Sequence, residues 1–149
     1  MANYDKIAVW QDTYNRFLYE PDPNPPSKKY VFGMISSTLV RRFPVTQVKV
    51  HKYDIIDMAL IEKYANKEKV IFLNMADIAK PGGCVEAGSG AQEECIFRRS
   101  NYYKHLTKEF YPMLNNDIIL SKNVKFTKHN EDKGNSPMAP HHLDIMAIP

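Results

Sequence analysis

The spacing of apolar residues divides the first third of the chain into one helix and two extended segments. Apolar residues between Ile7 and Leu18 recur at three- and four-residue steps, which predicts a helix from Tyr4 to Tyr19. The prolines between Pro21 and Pro26 end this helix and predict an exposed spacer. Tyr30 to Leu39 fits either a strand or an ordered loop. Strict alternation from Thr46 to His51 predicts a half-exposed strand.

The middle of the chain reads as helix, strand, loop and helix. Asp54 is a plausible N-cap for a helix from Ile55 to about Asn66. The segment from Glu68 to Asn74 contains a continuous apolar run, which predicts a strand buried on both faces at the centre of a layered α/β domain. A glycine-rich loop follows, and a second amphipathic pattern then predicts a helix from Ala91 to Leu106.

The last part of the chain is predicted to be extended. Asp117 to Leu120 and Val124 to Phe126 are short strand candidates, and Asn130 to Pro137 is a turn. Leu143 to Ile148 is a last strand, after which the sequence stops. In layered α/β folds a strand is normally followed by a covering helix. We therefore expect one partial α/β domain over residues 1–149, with the C-terminal part of the fold missing.

Composition narrows the class of protein. With 149 residues, 44% apolar and 25% charged, the chain is predicted to be one globular domain. A net charge of +3 could help attract an anionic ligand, but it falls far short of a nucleic-acid-binding composition. No apolar run approaches the roughly 20 residues that span a bilayer. Without an apolar N-terminal signal, we expect a cytoplasmic or nuclear location, no membrane partner and reduced thiols at both cysteines.

The candidate chemistry lies in the stretch from Lys80 to Glu94. Glycines let a backbone approach a ligand closely, and the N–H groups that open a helix can hold an anion. Glu93 and Glu94 stand where loop becomes helix, and a positioned glutamate can move a proton. Their alternative role is favourable placement against the helix dipole, which would lower a glutamate pKa, as would an Arg98–Glu94 pair. The stretch suits a phosphate-bearing substrate with a bond to be hydrolysed.

Other motifs favour simpler interpretations. The glycine-rich loop lacks the Lys-Ser/Thr ending of a P-loop and the spacing of a dinucleotide fingerprint. Cys84 has no base nearby in sequence, so packing or backbone contact is predicted rather than nucleophilic catalysis. The pair His141-His142 lacks helical spacing, and we predict neither a metal nor a cofactor. Arg98-Arg99 and Tyr102-Tyr103 are predicted to be packing and surface residues, without a specific nucleic-acid partner.

Three segments together resemble a known family. Leu73 to Ala76, Pro81 to Gly83 and Gln92 to Glu94, followed by two arginines and Ser100, are similar to the microbial-type poly(ADP-ribose) glycohydrolases. The motif of that family is a Gly-Gly-Gly loop, a spacer and Gln-Glu-Glu. Here seven residues, Val85 to Ala91, form the spacer. The likeness extends collinearly over most of the chain.

The resemblance implies a macrodomain-like fold, with a mixed sheet flanked by helices, that binds ADP-ribose and cleaves the ribose–ribose O-glycosidic bond of poly(ADP-ribose). By position, Glu94 matches the glutamate that protonates the leaving group and then activates water. Glu93 matches the neighbour that holds ribose hydroxyls. The resemblance further implies substrate-binding roles for residues at the end of the predicted strand and in the segment between it and the next helix. These residues are Asn74, Asp77, Gly82, Gly83, Cys84 and Gln92.

Two departures from the family keep alternatives open. Cys84 replaces the third glycine, which is expected to narrow or reshape the pocket. Relatives also continue past the point that matches Pro149, with further strands, a second glycine-rich loop and an aromatic residue near the substrate. The first hypothesis, which rests on the matching motifs, is an active glycohydrolase. The alternatives are an inactive ADP-ribose-binding or protein-interaction remnant, a site completed by a partner chain or in a homodimer, and an unrelated nucleotide-binding module.

Overall fold

The computed structural model describes residues 5–31 and 45–149. Three α-helices and four β-strands occur in these ranges, in the order α1 (Lys6–Phe17), β1 (Lys28–Val31), α2 (Ile55–Leu60), β2 (Ile71–Met75), α3 (Gln92–Arg99), β3 (Asp117–Lys128) and β4 (Pro137–Ile148). Short 3-10 turns lie at Val85–Ala87, Tyr102–Lys104, Lys108–Phe110 and Glu131–Lys133. Among the helices of the described ranges, none combines the length and apolar character needed to cross a membrane.

The four strands form one mixed sheet in the order β1-β3-β4-β2. β3 pairs with both β1 and β4 in antiparallel fashion, whereas β2 runs parallel to β4. Asn74 near the end of β2 stands opposite Ala147, which in turn stands opposite Ile119. This register places the end of β2 beside the end of β4, and the chain continues from that end of β2 into the glycine-rich loop.

The core lies on the sheet face that the helices cover. Phe72, Ile119 and Ile145 from the strands pack with Ile56 of α2 and Ile96 of α3, and all five are buried. Burial of these side chains supplies most of the driving force for folding, at about 25 cal/mol per Å² of apolar surface removed from water. Helix α3 therefore rests directly on the strands that carry the candidate site.

Strand β2 differs from its prediction in burial and in position. Its residues alternate between exposed and buried, with Met75 64% exposed, and β2 is an edge strand of the described sheet. The prediction of a central strand buried on both faces is therefore wrong. A continuous apolar run does not distinguish a strand that is buried on both faces from one that is buried on a single face. The other face of the strand is apolar whether or not a further layer covers it.

The segment from Thr46 to His51 was predicted to be a strand, and this is also wrong. It has no regular secondary structure, and Val48 and Val50 are almost fully exposed. Alternation alone cannot form a strand, because a strand also needs a neighbour for its backbone hydrogen bonds. Of the segment from Tyr30 to Leu39, residues up to Val31 belong to β1 and the rest lie outside the described residues.

Both early helices are confirmed. Helix α1 covers most of its predicted range, although Tyr4 lies outside the described residues. The Asp54 carboxylate accepts the N–H groups of Ile56 and Asp57, each at 3.1 Å, and so caps α2 as predicted. The last predicted turn of α2 continues as a π-helix over Ile61–Ala65.

The remaining elements have different bounds from those predicted. Helix α3 ends at Arg99 rather than Leu106, because Ser100 is extended and forms a bridge with Phe126. The two short strand candidates after it are one strand, β3, interrupted by a bulge at which Asn123 has a φ of 57°. The turn after Asn130 is confirmed, and β4 begins at Pro137 instead of Leu143.

Candidate active site

Gln92 joins the start of α3 to the side of β2 that faces away from β4. Its side-chain oxygen accepts the Met75 N–H at 2.9 Å, and its amide nitrogen donates to the Leu73 carbonyl at 3.1 Å. No strand of the described residues pairs with this side of β2, and the Gln92 amide bonds there instead. This contact fixes the two following glutamates, which belong to the first turn of α3, against the end of the sheet.

Glu93 is buried, with 3% of its surface exposed, and both of its oxygens are engaged. One oxygen accepts the Asp77 N–H at 2.8 Å. The other lies 3.3 Å from the Asn74 amide nitrogen and 3.5 Å from the Tyr111 hydroxyl. The predicted site residues Asn74 and Asp77 are thus brought together around Glu93. Asp77 also caps the next turn, since its carboxylate accepts the N–H groups of Ala79 and Lys80.

Burial raises the pKa of Glu93 above its ordinary value of 4.5, and the nearby charge of Glu94 adds to the rise. The N–H groups of Asp77 and Gly82 and the amide of Asn74 act in the opposite direction, but removal from water dominates. The expected lowering of a glutamate pKa is therefore wrong for Glu93. The helix dipole of an eight-residue α3 does not compensate for the loss of hydration.

Glu94 is also buried, with 6% exposed, but it is held by a single hydrogen bond. The Cys84 N–H donates to its Oε1 at 3.0 Å. No other hydrogen bond or ion pair involves this carboxylate within the described ranges. The Arg98–Glu94 pair that the i,i+4 spacing allows does not form, because the Arg98 guanidinium donates to the Ser89 carbonyl at 2.6 Å and to Cys95 Sγ at 3.3 Å.

The loop backbone approaches both α3 and the Glu94 carboxylate so closely that two positions require glycine. Gly83 has a φ of +51°, and a Cβ there would lie 2.6 Å from Glu94 Oε1. Gly82 has a φ of +75°, and a Cβ there would lie 2.6 Å from the Phe97 ring. A side chain at either position would therefore be strained and would displace a neighbour.

The third loop position differs from the first two. Cys84 has a φ of −108°, is exposed and carries a free thiol. Residue types other than proline can adopt this negative φ. The loop therefore carries the Cys84 side chain without backbone strain, while the N–H of the same residue holds Glu94.

The two arginines of α3 are buried rather than exposed on the surface. Arg99 donates to the Asp54 and Asp57 carboxylates at 2.6 and 2.8 Å and to the Lys128 carbonyl at 3.2 Å. The prediction of packing residues is confirmed, and that of surface residues is wrong. The two aspartates at the start of α2 are three residues apart, and this spacing was the available signal for a cation between them.

Tyr111 also belongs to the candidate site, although no sequence pattern marks it. Its hydroxyl lies near Glu93, and its pKa is raised by burial and by the negative charge of Glu93. The phenol therefore stays protonated and can donate to the carboxylate. It lies in an irregular loop before Pro112, where no periodic pattern identifies a contact 18 residues away.

No group of three or more metal-ligating side chains (His, Cys, Asp or Glu) occurs within residues 5–31 and 45–149. The pair His141-His142 lies on β4, and the His141 ring packs against Tyr64 at 4.8 Å between centroids.

Comparison with known proteins identifies the family. The family model for the microbial-type PARG, catalytic domain, matches residues 9–129. No curated protein matches the chain. A poly(ADP-ribose) glycohydrolase (PARG) structure from Thermomonospora curvata is 19% identical, with a TM-score of 0.77 over 97% of this chain and 63% of that one. The corresponding structure bound to the inhibitor ADP-HPD is 18% identical, with a TM-score of 0.73 over 97% and 62%.

A PARG from Deinococcus radiodurans in complex with ADP-ribose is 27% identical, with a TM-score of 0.53 over 64% of this chain and 42% of that one. The Thermomonospora matches confirm the predicted α/β fold, with its mixed sheet and helices. The chain spans about 62% of the length of those proteins. Because the family model covers most of its residues, the chain belongs to the microbial-type PARG catalytic-domain family.

Proposed function

We propose that this chain is a hydrolase of the poly(ADP-ribose) glycohydrolase type, with Glu94 as the general acid and base. The observation that carries this proposal is the state of the Glu94 carboxylate. It is buried beside Gly83, where an added Cβ would clash with it, accepts the Cys84 N–H and has no counter-charge among the described residues. A carboxylate in such surroundings is costly to bury, and a positioned glutamate can move a proton.

In the proposed reaction, protonated Glu94 donates its proton to the bridging oxygen as the ribose C1–O bond breaks. The carboxylate then takes a proton from water, and the remaining hydroxide adds to C1. One water is consumed, both products carry a hydroxyl, and Glu94 ends in its protonated form. The Cys84 N–H holds Oε1, so that the second oxygen is left to move the proton. Most glycosidases divide this work between two carboxylates.

Glu93 is proposed to hold ribose hydroxyls. Its Oε1 already accepts from the Asn74 amide and lies 3.5 Å from the Tyr111 hydroxyl, whereas its Oε2 accepts from the Asp77 N–H and has a further lone pair for a hydroxyl donor. Asn74 and Gln92 are then positioning residues, because the first bonds to Glu93 and the second ties α3 to β2. Gly82 and Gly83 are proposed to let the substrate diphosphate approach the loop backbone.

The ligand class is proposed from relatives. The Thermomonospora protein binds the inhibitor ADP-HPD, and the Deinococcus protein binds ADP-ribose. ADP-ribose or its polymer is therefore the proposed ligand of this chain.

A second candidate function is ADP-ribose binding without hydrolysis. The observation that favours it is that Asn74 and Asp77 hold Glu93 through hydrogen bonds that do not involve Glu94, so the proposed contact with ribose does not depend on proton transfer. A site of this kind could also be completed by another chain.

An activity assay distinguishes the two functions. Wild-type protein and Glu94→Gln should be incubated with poly(ADP-ribose), and released ADP-ribose should be measured.

We expect release by wild type and a loss of at least about 100-fold in Glu94→Gln, the usual scale of general acid–base catalysis. Glutamine still accepts the Cys84 N–H, so the thermal unfolding midpoint should hardly move. Glu68→Gln, at an exposed glutamate, is the matched control and should release normally. If wild type releases nothing while calorimetry detects ADP-ribose binding, the binding function replaces the hydrolase. Absence of binding would contradict both.

A further inference from the structure

An aromatic cavity of about 410 Å³ lies between α1 and the glycine-rich loop. Trp10 and Tyr14 of α1 line one side of this cavity, and Phe97 and Tyr103 line another. The volume falls within the range of small-molecule sites, which are concave and mostly apolar with a few polar groups. The reaction proposed for Glu94 makes no use of this cavity.

The rings are held by one another and by the backbone. The centroids of Tyr14 and Tyr103 are 4.9 Å apart, and the Trp10 ring stands perpendicular to Tyr103 at 5.7 Å. The Tyr103 hydroxyl donates to the Tyr14 carbonyl at 3.1 Å. Tyr14 is 40% exposed, so part of its ring is free to stack with a planar ligand.

Two lysines add positive charge to this aromatic surface. Lys80 and Lys108 line the cavity, are exposed and form no ion pair within the described part of the chain. Glu86 is the acidic residue of the lining, so the local charge is positive. Aromatic rings bind a planar base by stacking, and lysines bind phosphate. A ligand with a base and a phosphate matches both features.

The cavity shares a wall with the Glu94 site. Gly83 lines the cavity, and a Cβ at Gly83 would lie 2.6 Å from Glu94 Oε1. The next residue, Cys84, donates its N–H to the same oxygen. A single stretch of loop backbone therefore separates the aromatic cavity from the proposed proton donor. Two linked units of one polymer could occupy the two sides of this loop.

We propose that the aromatic cavity binds the base and phosphate of the ADP-ribose unit adjoining the one at Glu94. This inference rests on the proposed function, because the polymer must be the substrate. It assigns Tyr14 as the stacking residue and Lys80 and Lys108 as the phosphate contacts. The cavity would then favour polymer over a single unit.

Trp10 provides a direct probe, since it is the one tryptophan of the chain. The full chain should be titrated with AMP, with adenosine and with inorganic pyrophosphate while Trp10 emission is followed. We expect a saturable change with AMP and weaker responses to the ring or the phosphate alone. Tyr14→Ala should weaken AMP binding about tenfold or more, the scale of one stacked base. The exposed Tyr19→Ala is the matched control and should bind normally.

Lys80→Ala/Lys108→Ala changes two exposed side chains and should weaken AMP binding with a reduced salt dependence. For hydrolysis, Tyr14→Ala should raise the KM for polymer several-fold with little change in kcat. Glu94→Gln should keep the AMP response while losing hydrolysis, which separates the two proposals. No saturable AMP response, or equal affinity in Tyr14→Ala, overturns the cavity assignment even if wild type hydrolyses polymer. AMP binding with an unchanged KM for polymer indicates a free-nucleotide site and overturns the adjoining-unit assignment.

Discussion

Charged residues are buried at both ends of α3, but Arg99 at one end and Glu94 at the other have different hydrogen-bond and ion-pair partners. At the C-terminal end, Arg99 bonds to two carboxylates and one carbonyl. At the N-terminal end, Glu94 has one main-chain donor and no cation among the described residues. The ion pairs of Arg99 join α3 to α2, whereas Glu94 faces the glycine-rich loop without a counter-charge among the described residues. A buried charge that is fully paired maintains the fold, and one left unpaired is a candidate for chemistry.

The helix dipole favours this distribution of charge but does not explain the difference. Acidic residues in the first turn and basic residues in the last turn are both stabilising, by less than about 1 kcal/mol in exposed helices. That contribution is much smaller than the cost of burying an unpaired carboxylate. The N-terminal end therefore departs from what stability alone would select, as functional sites often do.

The largest expected effect comes from Arg99→Met. Removal of the guanidinium leaves the Asp54 and Asp57 carboxylates without their cation, and breaking a buried ion pair costs about 3–5 kcal/mol. Chemical denaturation should show that loss in the free energy of unfolding. Arg16→Met, at an exposed arginine in the last turn of α1, should change it by less than about 0.5 kcal/mol. Equal stability of the two variants would show that the paired end does not hold α3.

Gly83→Ala tests the other end of α3. Its Cβ would combine left-handed backbone strain with a clash against Glu94, for a cost of roughly 2–3 kcal/mol in unfolding free energy. Gly134→Ala is the matched control, because its φ is +63° and no atom lies within 4 Å of the added Cβ. That control should cost about 1 kcal/mol. A Gly83→Ala cost equal to the control would mean that the loop does not press on Glu94.

The smallest expected effect is a change in pH dependence in Glu93→Gln. The folded pKa of Glu93 is raised, so the native state binds its proton more tightly than the unfolded chain. Stability from this group is present below pH 4.5 and is lost as pH rises through the raised pKa. Burial lowers the pKa of His105 to about 4 and drives the opposite change in this window.

His105 is present in both proteins, so its contribution cancels in the difference between wild type and Glu93→Gln. The unfolding free energy should be measured for both proteins from pH 4 to pH 8. The wild-type value minus the Glu93→Gln value should decrease as the pH rises. Parallel curves would indicate that Glu93 keeps an ordinary pKa and that the two ends of α3 differ less than the burial suggests.

Local signals predicted the parts of the site that depend on neighbouring residues in the chain. Asp54 was identified as an N-cap because its carboxylate reaches N–H groups two and three residues away. The glycine-rich loop between a strand and a helix was likewise read from adjacent residues. Contacts between distant segments were not predicted, such as Arg99 with Asp57, 42 residues away in the chain.

The length of α3 shows the same limit. The amphipathic pattern continued to Leu106, but Ser100 leaves the helix to pair with Phe126 of β3. A tertiary partner thus ended a helix that its own sequence could have continued. The burial of β2 was also decided by its neighbours, since an apolar residue is buried only where another layer covers it.

The sequence by itself determined the type of chemistry, through two adjacent glutamates after a glycine-rich loop, and it pointed to the family. Only the tertiary structure decided which glutamate is held and which is left with an open oxygen. The physical reason is that hydrogen-bond partners come from whichever segments the fold brings within about 3 Å. Asn74, Asp77 and Tyr111 meet at Glu93, whereas the Cys84 N–H alone meets Glu94.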